Sequence, residues 1–235
     1  MTLIIGLRAR DGVVVGADRK LLRELEVEYS PKYYLYQDRI VLVAVGLTGI
    51  VDDFYDLLHS EIRTRRGIET LYEFKIVAED ILAELTERYG ERVREERPAS
   101  VVLAGLEDIV VGKAKMYYIY GEGYGEASKF VCTGHGAPYA LSLAKFLLNP
   151  EKDIHENGRR IAYIISWVAE KVDTSVGGTP DILMIRDRKQ PPREDEKIVQ
   201  FLGEKEVKEI AEKAENDIKR LPQLLGLEKS ANIHQ

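Results

Sequence analysis

From the second residue onward the chain opens on short apolar runs separated by small, polar and charged residues. Thr2 to Leu7 and Val13 to Ala17 are rich in β-branched residues, with the turn signal Asp11-Gly12 between them, so the chain opens on a predicted hairpin. Arg23 to Glu28 shows no periodicity. Beyond Pro31 two further strands are predicted, Tyr33 to Tyr36 and Ile40 to Gly46, turning at Asp38-Arg39. The spacing then becomes helical. Ile50, Phe54, Leu57, Leu58 and Ile62 share one face, and positions 71, 74, 77, 78, 81, 82 and 85 share another in a helix from Ile68 to Tyr89. Gly90, a charged stretch and Pro98 close that helix.

Strand patterns return at Ser100 to Leu106, Lys115 to Tyr120 and Ser128 to Thr133, with GEGYG at 121–125 joining two of them. As a phosphate cradle GEGYG is weak, because no helix follows it. GHGAPYALSLAKFLL opens a third helix, and a fourth covers Ile154 to Val172 with Ile161, Ile164, Ile165 and Val168 along one face. Asp181 to Ile185 is the next strand. Strand runs alternating with helix pairs predict an α+β fold of packed sheets with helices segregated outside them. The composition changes after Arg188, at KQPPREDEK, which divides the chain into a domain of residues 1–188 and a C-terminal extension, 189–235. The extension holds a short strand at Ile198 to Leu202 and a helix striped by Val207, Ile210, Ala211, Ala214 and Ile218. Such a stripe packs on the domain or on a partner.

Composition narrows the function classes. A chain of 235 residues has ample material for a core, and 45% apolar with 31% charged residues is a globular composition. The net charge of −6 argues against holding nucleic acid by phosphate neutralisation. Arg63, Arg65 and Arg66 are read as a solvated helix end. The single cysteine, Cys132, excludes an internal disulfide framework and suits a reducing compartment. No apolar run reaches bilayer length, and Arg8, Arg10 and Asp11 interrupt any signal peptide, so a cytoplasmic protein without membrane partners is expected. One cysteine and scattered histidines give too few metal ligands, and no motif calls for a cofactor.

Candidate chemistry lies at the start. Removal of Met1 would leave Thr2 with both a hydroxyl nucleophile and a free α-amine, the form of activation used by N-terminal threonines. That amine, with an unperturbed pKa of about 7.7–8.0, is near the range useful to a general base. Asp18 ends the second strand and Lys32 precedes the next, so a strand-paired core can bring both toward Thr2. An ammonium there favours the deprotonated hydroxyl, and a carboxylate holds the ammonium in place. The loop VGLTG offers backbone N–H groups to an oxyanion. Taken singly, Asp18 and Lys32 are as readily surface residues or a structural ion pair.

Together, TLIIGLRARDGVVVGADRK, KYYLYQD and VGLTGIVDD resemble the proteasome-type N-terminal-nucleophile (Ntn) hydrolases, in particular a divergent archaeal β-type subunit. GHGAPYALSLAKFLL resembles that family's G-S-G-x-x-Y-A loop and helix, and VDTSVGGTPDILMI its R-D-x-x-S-G-G segment. The resemblance covers residues 2–186 and implies a four-layer αββα sandwich, here with a C-terminal helical extension. It implies Thr2 as nucleophile, Asp18 and Lys32 as its supporting pair, Gly46 N–H as oxyanion donor and Asp173 near the threonine amine. Two positions depart from the pattern. His135 stands where the family has the serine of G-S-G, and Val176 where it has a serine three residues after the aspartate; Ser175 is the neighbouring hydroxyl. His135 is either a titrating group or a structural histidine in a Gly-flanked turn.

The resemblance implies a threonine-type amidase or peptidase acting on peptide or protein through an acyl ester, with water or an amine as acceptor. A non-catalytic structural or ring-assembly subunit of the same fold is the alternative. Non-catalytic α-type subunits carry an extension before the first strand that this sequence lacks, which favours catalysis. Self-association or a ring partner is expected in either case.

Overall fold

A computed structural model of the chain describes residues 2–23, 26–65, 68–89, 99–108, 110–120, 123–191 and 196–224. Met1, Arg66, the stretch from Gly90 to Pro98, the first two residues of GEGYG and the centre of KQPPREDEK lie outside the described residues.

The opening hairpin is β1 (Leu3–Ala9) and β2 (Gly12–Ala17), in register from Ile4 opposite Ala17 to Ala9 opposite Gly12. Both strands are buried on both faces. Leu3, Ile5 and Leu7 point one way and Ile4 the other, the two-residue period of a strand covered on each side. β2 is flanked by β11 (Asp181–Arg186), which pairs in turn with β12 (Val199–Phe201). On its other side β1 pairs with β10 (Phe130–Gly134), completing a five-stranded sheet in the order β10-β1-β2-β11-β12.

The second sheet is a meander of β5 (Tyr33–Tyr36), β6 (Ile40–Gly46), β7 (Ala99–Leu106), β8 (Ala114–Tyr120) and β9 (Tyr124–Ala127). The chain crosses between sheets at Ser128-Lys129, so the strand expected at Ser128 to Thr133 is β10, which begins at Phe130 and ends at Gly134. A two-stranded ribbon, β3 (Lys20–Arg23) and β4 (Glu26–Tyr29), was not expected from the pattern. Glu26 to Tyr29 are all exposed, and a strand without a buried face leaves no alternation in its sequence.

Three apolar layers hold four layers of backbone together. Ile4, Val13, Val15, Val41, Val43, Val102 and Ala104 fill the space between the sheets. Helices α1 (Thr48–Thr64) and α2 (Leu71–Tyr89) cover the second sheet through Phe54, Leu58, Phe74 and Leu82. Helices α3 (Ala137–Leu147) and α4 (Ile154–Lys171) cover the first, with Ala140, Ala144, Ile161, Ile164 and Ile165 against β1 and β11. The expected αββα sandwich is the observed architecture. α4 lies very close to its sheet: a β-carbon on Gly16 would sit 2.4 Å from Ile161 Cγ2. Asp153 caps α4 by accepting from Glu156 N at 2.7 Å.

The segment after Arg188 returns to this body. β12 extends the first sheet, and α5 (Glu204–Leu224) lies along α4, with Leu202, Val207 and Ile210 in the same apolar cluster as Ile161. No described helix is long and apolar enough to cross a membrane.

Candidate active site

Thr2 enters the first sheet ahead of Leu3 and is 5% exposed. The carboxylate of Asp18, fully buried, lies directly beneath that entry. Its Oδ1 accepts from Leu3 N at 2.9 Å and from Lys32 Nζ at 2.9 Å; its Oδ2 accepts from Lys20 N at 3.1 Å and Gly177 N at 3.2 Å. A buried carboxylate is stable as an anion only with such a set of donors. Lys32 is also buried, and withdrawal from water pulls its ammonium below the usual lysine value, an effect the neighbouring Asp18 opposes.

Thr2, Lys32 and Gly46 line one cavity of about 190 Å³, with Thr48, Asp52 and Tyr55 on its α1 side. The Tyr55 hydroxyl accepts from Ala44 N at 3.2 Å and donates to Lys32 O at 3.4 Å, tying α1 to the strands that carry Gly46 and Lys32. Burial pushes that phenol up to about 12, so it remains a neutral donor. Tyr55, like the backbone donors of Lys20 and Gly177, carried no signal in the sequence that tied it to this place. A larger groove, between α4, α5 and the loop 174–179, includes none of Thr2, Lys32 or Gly46.

The loop after α4 brings the remaining candidates together. Asp173 accepts from Ser175 N at 2.9 Å and Ser175 Oγ at 2.6 Å, and lies 2.7 Å from His135 Nδ1. Burial alone would raise the Asp173 carboxyl, but hydrogen bonds from Ser175 and His135 outweigh it and hold the group below the usual carboxylate range. Val176 turns the other way, into the apolar cluster beneath α3 and α4, and Gly177 then reaches Asp18. The hydroxyl in this loop is therefore supplied by Ser175. Asp173 and His135 are joined to Asp18 and Lys32 through the backbone on either side. Gly134, ahead of His135, packs its α-carbon so closely on Thr2 that a β-carbon would lie 2.1 Å from the Thr2 carbonyl oxygen.

The family model for proteasome subunits matches residues 2–177, from the candidate nucleophile to the last donor of Asp18. The chain belongs to the proteasome subunit family. Solved structures of similar fold include three of Anbu, each at a TM-score of 0.73. They are a mutant from Hyphomicrobium sp. strain MC1 (14% identity, 99% of this chain and 100% of that one), an ancestral β-subunit from Yersinia bercovieri (12%, 99% and 100%), and a helical assembly from Pseudomonas aeruginosa (16%, 98% and 98%). Comparison with curated proteins gives no match. The proteasome-subunit fold thus accounts for the two sheets and the helices outside them. Among the described residues no group of three His, Cys, Asp or Glu side chains converges as a metal site.

Proposed function

We propose that this proteasome-family subunit is a threonine-type amide hydrolase of peptides or proteins, active when Thr2 has a free α-amine. The observation that supports this most is the sharing of one cavity by Thr2, Lys32 and Gly46, with Asp18 bridging Lys32 and the Leu3 amide. In this reading the Thr2 hydroxyl gives its proton to the α-amine as Oγ bonds to the scissile carbonyl carbon. The oxyanion that forms takes a hydrogen bond from Gly46 N–H. Collapse of the tetrahedral intermediate breaks the C–N bond, and the leaving nitrogen takes the proton. Water, or a second amine, then displaces Oγ from the ester by the same steps in reverse. The Lys32 ammonium stabilises developing charge on Oγ, Asp18 orients Lys32, and Asp173 orders the loop beside the amine.

Intact mass establishes whether Met1 has been removed. Processed protein is then exposed to a threonine-directed electrophile and digested. A covalent adduct on Thr2, absent in Thr2→Ala, is the expected result. Fully processed protein that neither labels nor differs from Thr2→Ala on a peptide library would instead support a non-catalytic subunit. Copies of the chain are proposed to associate with one another, as the helical assembly of the Pseudomonas aeruginosa neighbour suggests. Sedimentation velocity is the test, and a monomer at all concentrations would remove this element while leaving the chemistry untouched.

A further inference from the structure

The imidazole of His135 is held from one edge only. Its Nδ1 lies 2.7 Å from Asp173 Oδ2 and 3.2 Å from Ser175 Oγ. The Ser175 hydroxyl donates its single proton to Asp173 Oδ1 at 2.6 Å, so toward Nδ1 it presents a lone pair. Nδ1 thus faces two acceptors and must carry hydrogen, since a bare nitrogen would set its lone pair against a carboxylate oxygen. In the neutral ring the basic lone pair is then on Nε2. That nitrogen has no hydrogen-bond partner among the described residues, and the side chain is 59% exposed.

The sheet determines what the ring stands beside. β1 and β10 run antiparallel with Leu3 opposite Gly134. The pairing ends there, Thr2 and His135 are the next residue on each side, and a β-carbon on Gly134 would lie 2.1 Å from the Thr2 carbonyl oxygen. The titratable groups around this point are few. Asp173 comes from the loop after α4, the Asp18–Lys32 pair from the end of β2 and the approach to β5, and Lys20 from β3 donates to Thr174 O beside Asp173. Tyr118 reaches in from β8 to Thr133 at 3.1 Å, and Cys132, pushed up to about 12 by burial, stays uncharged.

We propose that His135 is a positioning residue whose Nε2 accepts a hydrogen bond from the Thr2 α-amine and shares its proton during amide cleavage. The proposal rests on the Thr2 reading above. The proton leaving Thr2 Oγ enters the amine as the C–O bond forms, and the ammonium so made is hydrogen-bonded to Nε2. The proton passes to the departing nitrogen as the C–N bond breaks, and the ring ends the step as it began. A ring-nitrogen lone pair beside the amine gives that proton a second acceptor while the C–O bond forms.

His135→Asn keeps an N–H toward Asp173 and cannot titrate; His135→Ala removes both properties. Processed full-length protein, wild type and both variants, is labelled at Thr2 from about pH 5.5 to 9, and the wild-type ring is examined by ¹⁵N NMR. His135→Asn is expected to label about tenfold more slowly than wild type near pH 6, and within about threefold near pH 9, where the amine is a free base unaided. His135→Ala is slower throughout, and NMR shows hydrogen on Nδ1. A His135→Asn to wild-type ratio that stays constant with pH, as a purely structural histidine gives, overturns the proposal, as does a bare Nδ1. If wild type itself does not label, the hydrolase reading has failed, and NMR titration of the Thr2 amine decides this one separately. Identical curves for wild type and His135→Asn overturn it; a shifted wild-type curve upholds it.

Discussion

Gly134 stands where no other residue fits. Its φ of +97° is open to glycine at little cost, and its missing side chain is what lets β10 close on the Thr2 carbonyl. Gly134→Ala is therefore expected to displace Thr2 and abolish its labelling, with a smaller effect on the melting temperature than on the label. Asp18→Asn keeps the shape of the carboxylate and removes its charge beside buried Lys32, so a loss of about 3–5 kcal/mol is expected from urea unfolding. Asp173 gives a pH signature. Its folded carboxyl is depressed, so its contribution is present above the unfolded value of about 3.9 and is lost as pH falls through the folded value. The stability gap between wild type and Asp173→Asn should narrow below about pH 4, measured as denaturant midpoints.

Between elements, the far ends of the two sheets are clipped by Arg8. Its guanidinium holds Asp187 through two bonds of 2.7 and 2.6 Å and reaches Ala114 O at 3.0 Å, while Asp187 accepts from Ala114 N at 2.8 Å. Lysine cannot make that fork, so Arg8→Lys is expected to cost about 1.5–3 kcal/mol in unfolding free energy. Labelling of Thr2 should be unchanged by it. The elements themselves were largely legible, because most strands and helices bury a face and periodicity records that. The nearness of Thr2, Asp18, Lys32 and Gly46 was legible because they sit at the ends of two hairpins. The ribbon β3–β4 was not, since its residues face water. The role of Ser175 was hidden by one residue of loop geometry, which sends Val176 into the core. The order β10-β1-β2-β11-β12 pairs strands more than a hundred residues apart, and no local pattern encodes such a neighbour.

At the scale of the molecule, α5 completes the first helical layer. Ile210→Ala removes a buried side chain between α5 and the apolar cluster and should lower stability by about 2 kcal/mol, read from thermal or urea unfolding. The four donors to Asp18 have a further consequence for the order of events during folding. They come from residues 3, 20, 32 and 177, so the last of them is separated by 159 positions from the carboxylate it completes. A nascent chain holding only the first hairpins has Thr2 and Lys32 but an unfinished anion beneath them. Closure of that long loop is among the slowest kinds of contact to form. Under the proposed chemistry, Thr2 is thus armed only once the last core strand is about to dock, and an incomplete chain would have no competent threonine to turn on its neighbours.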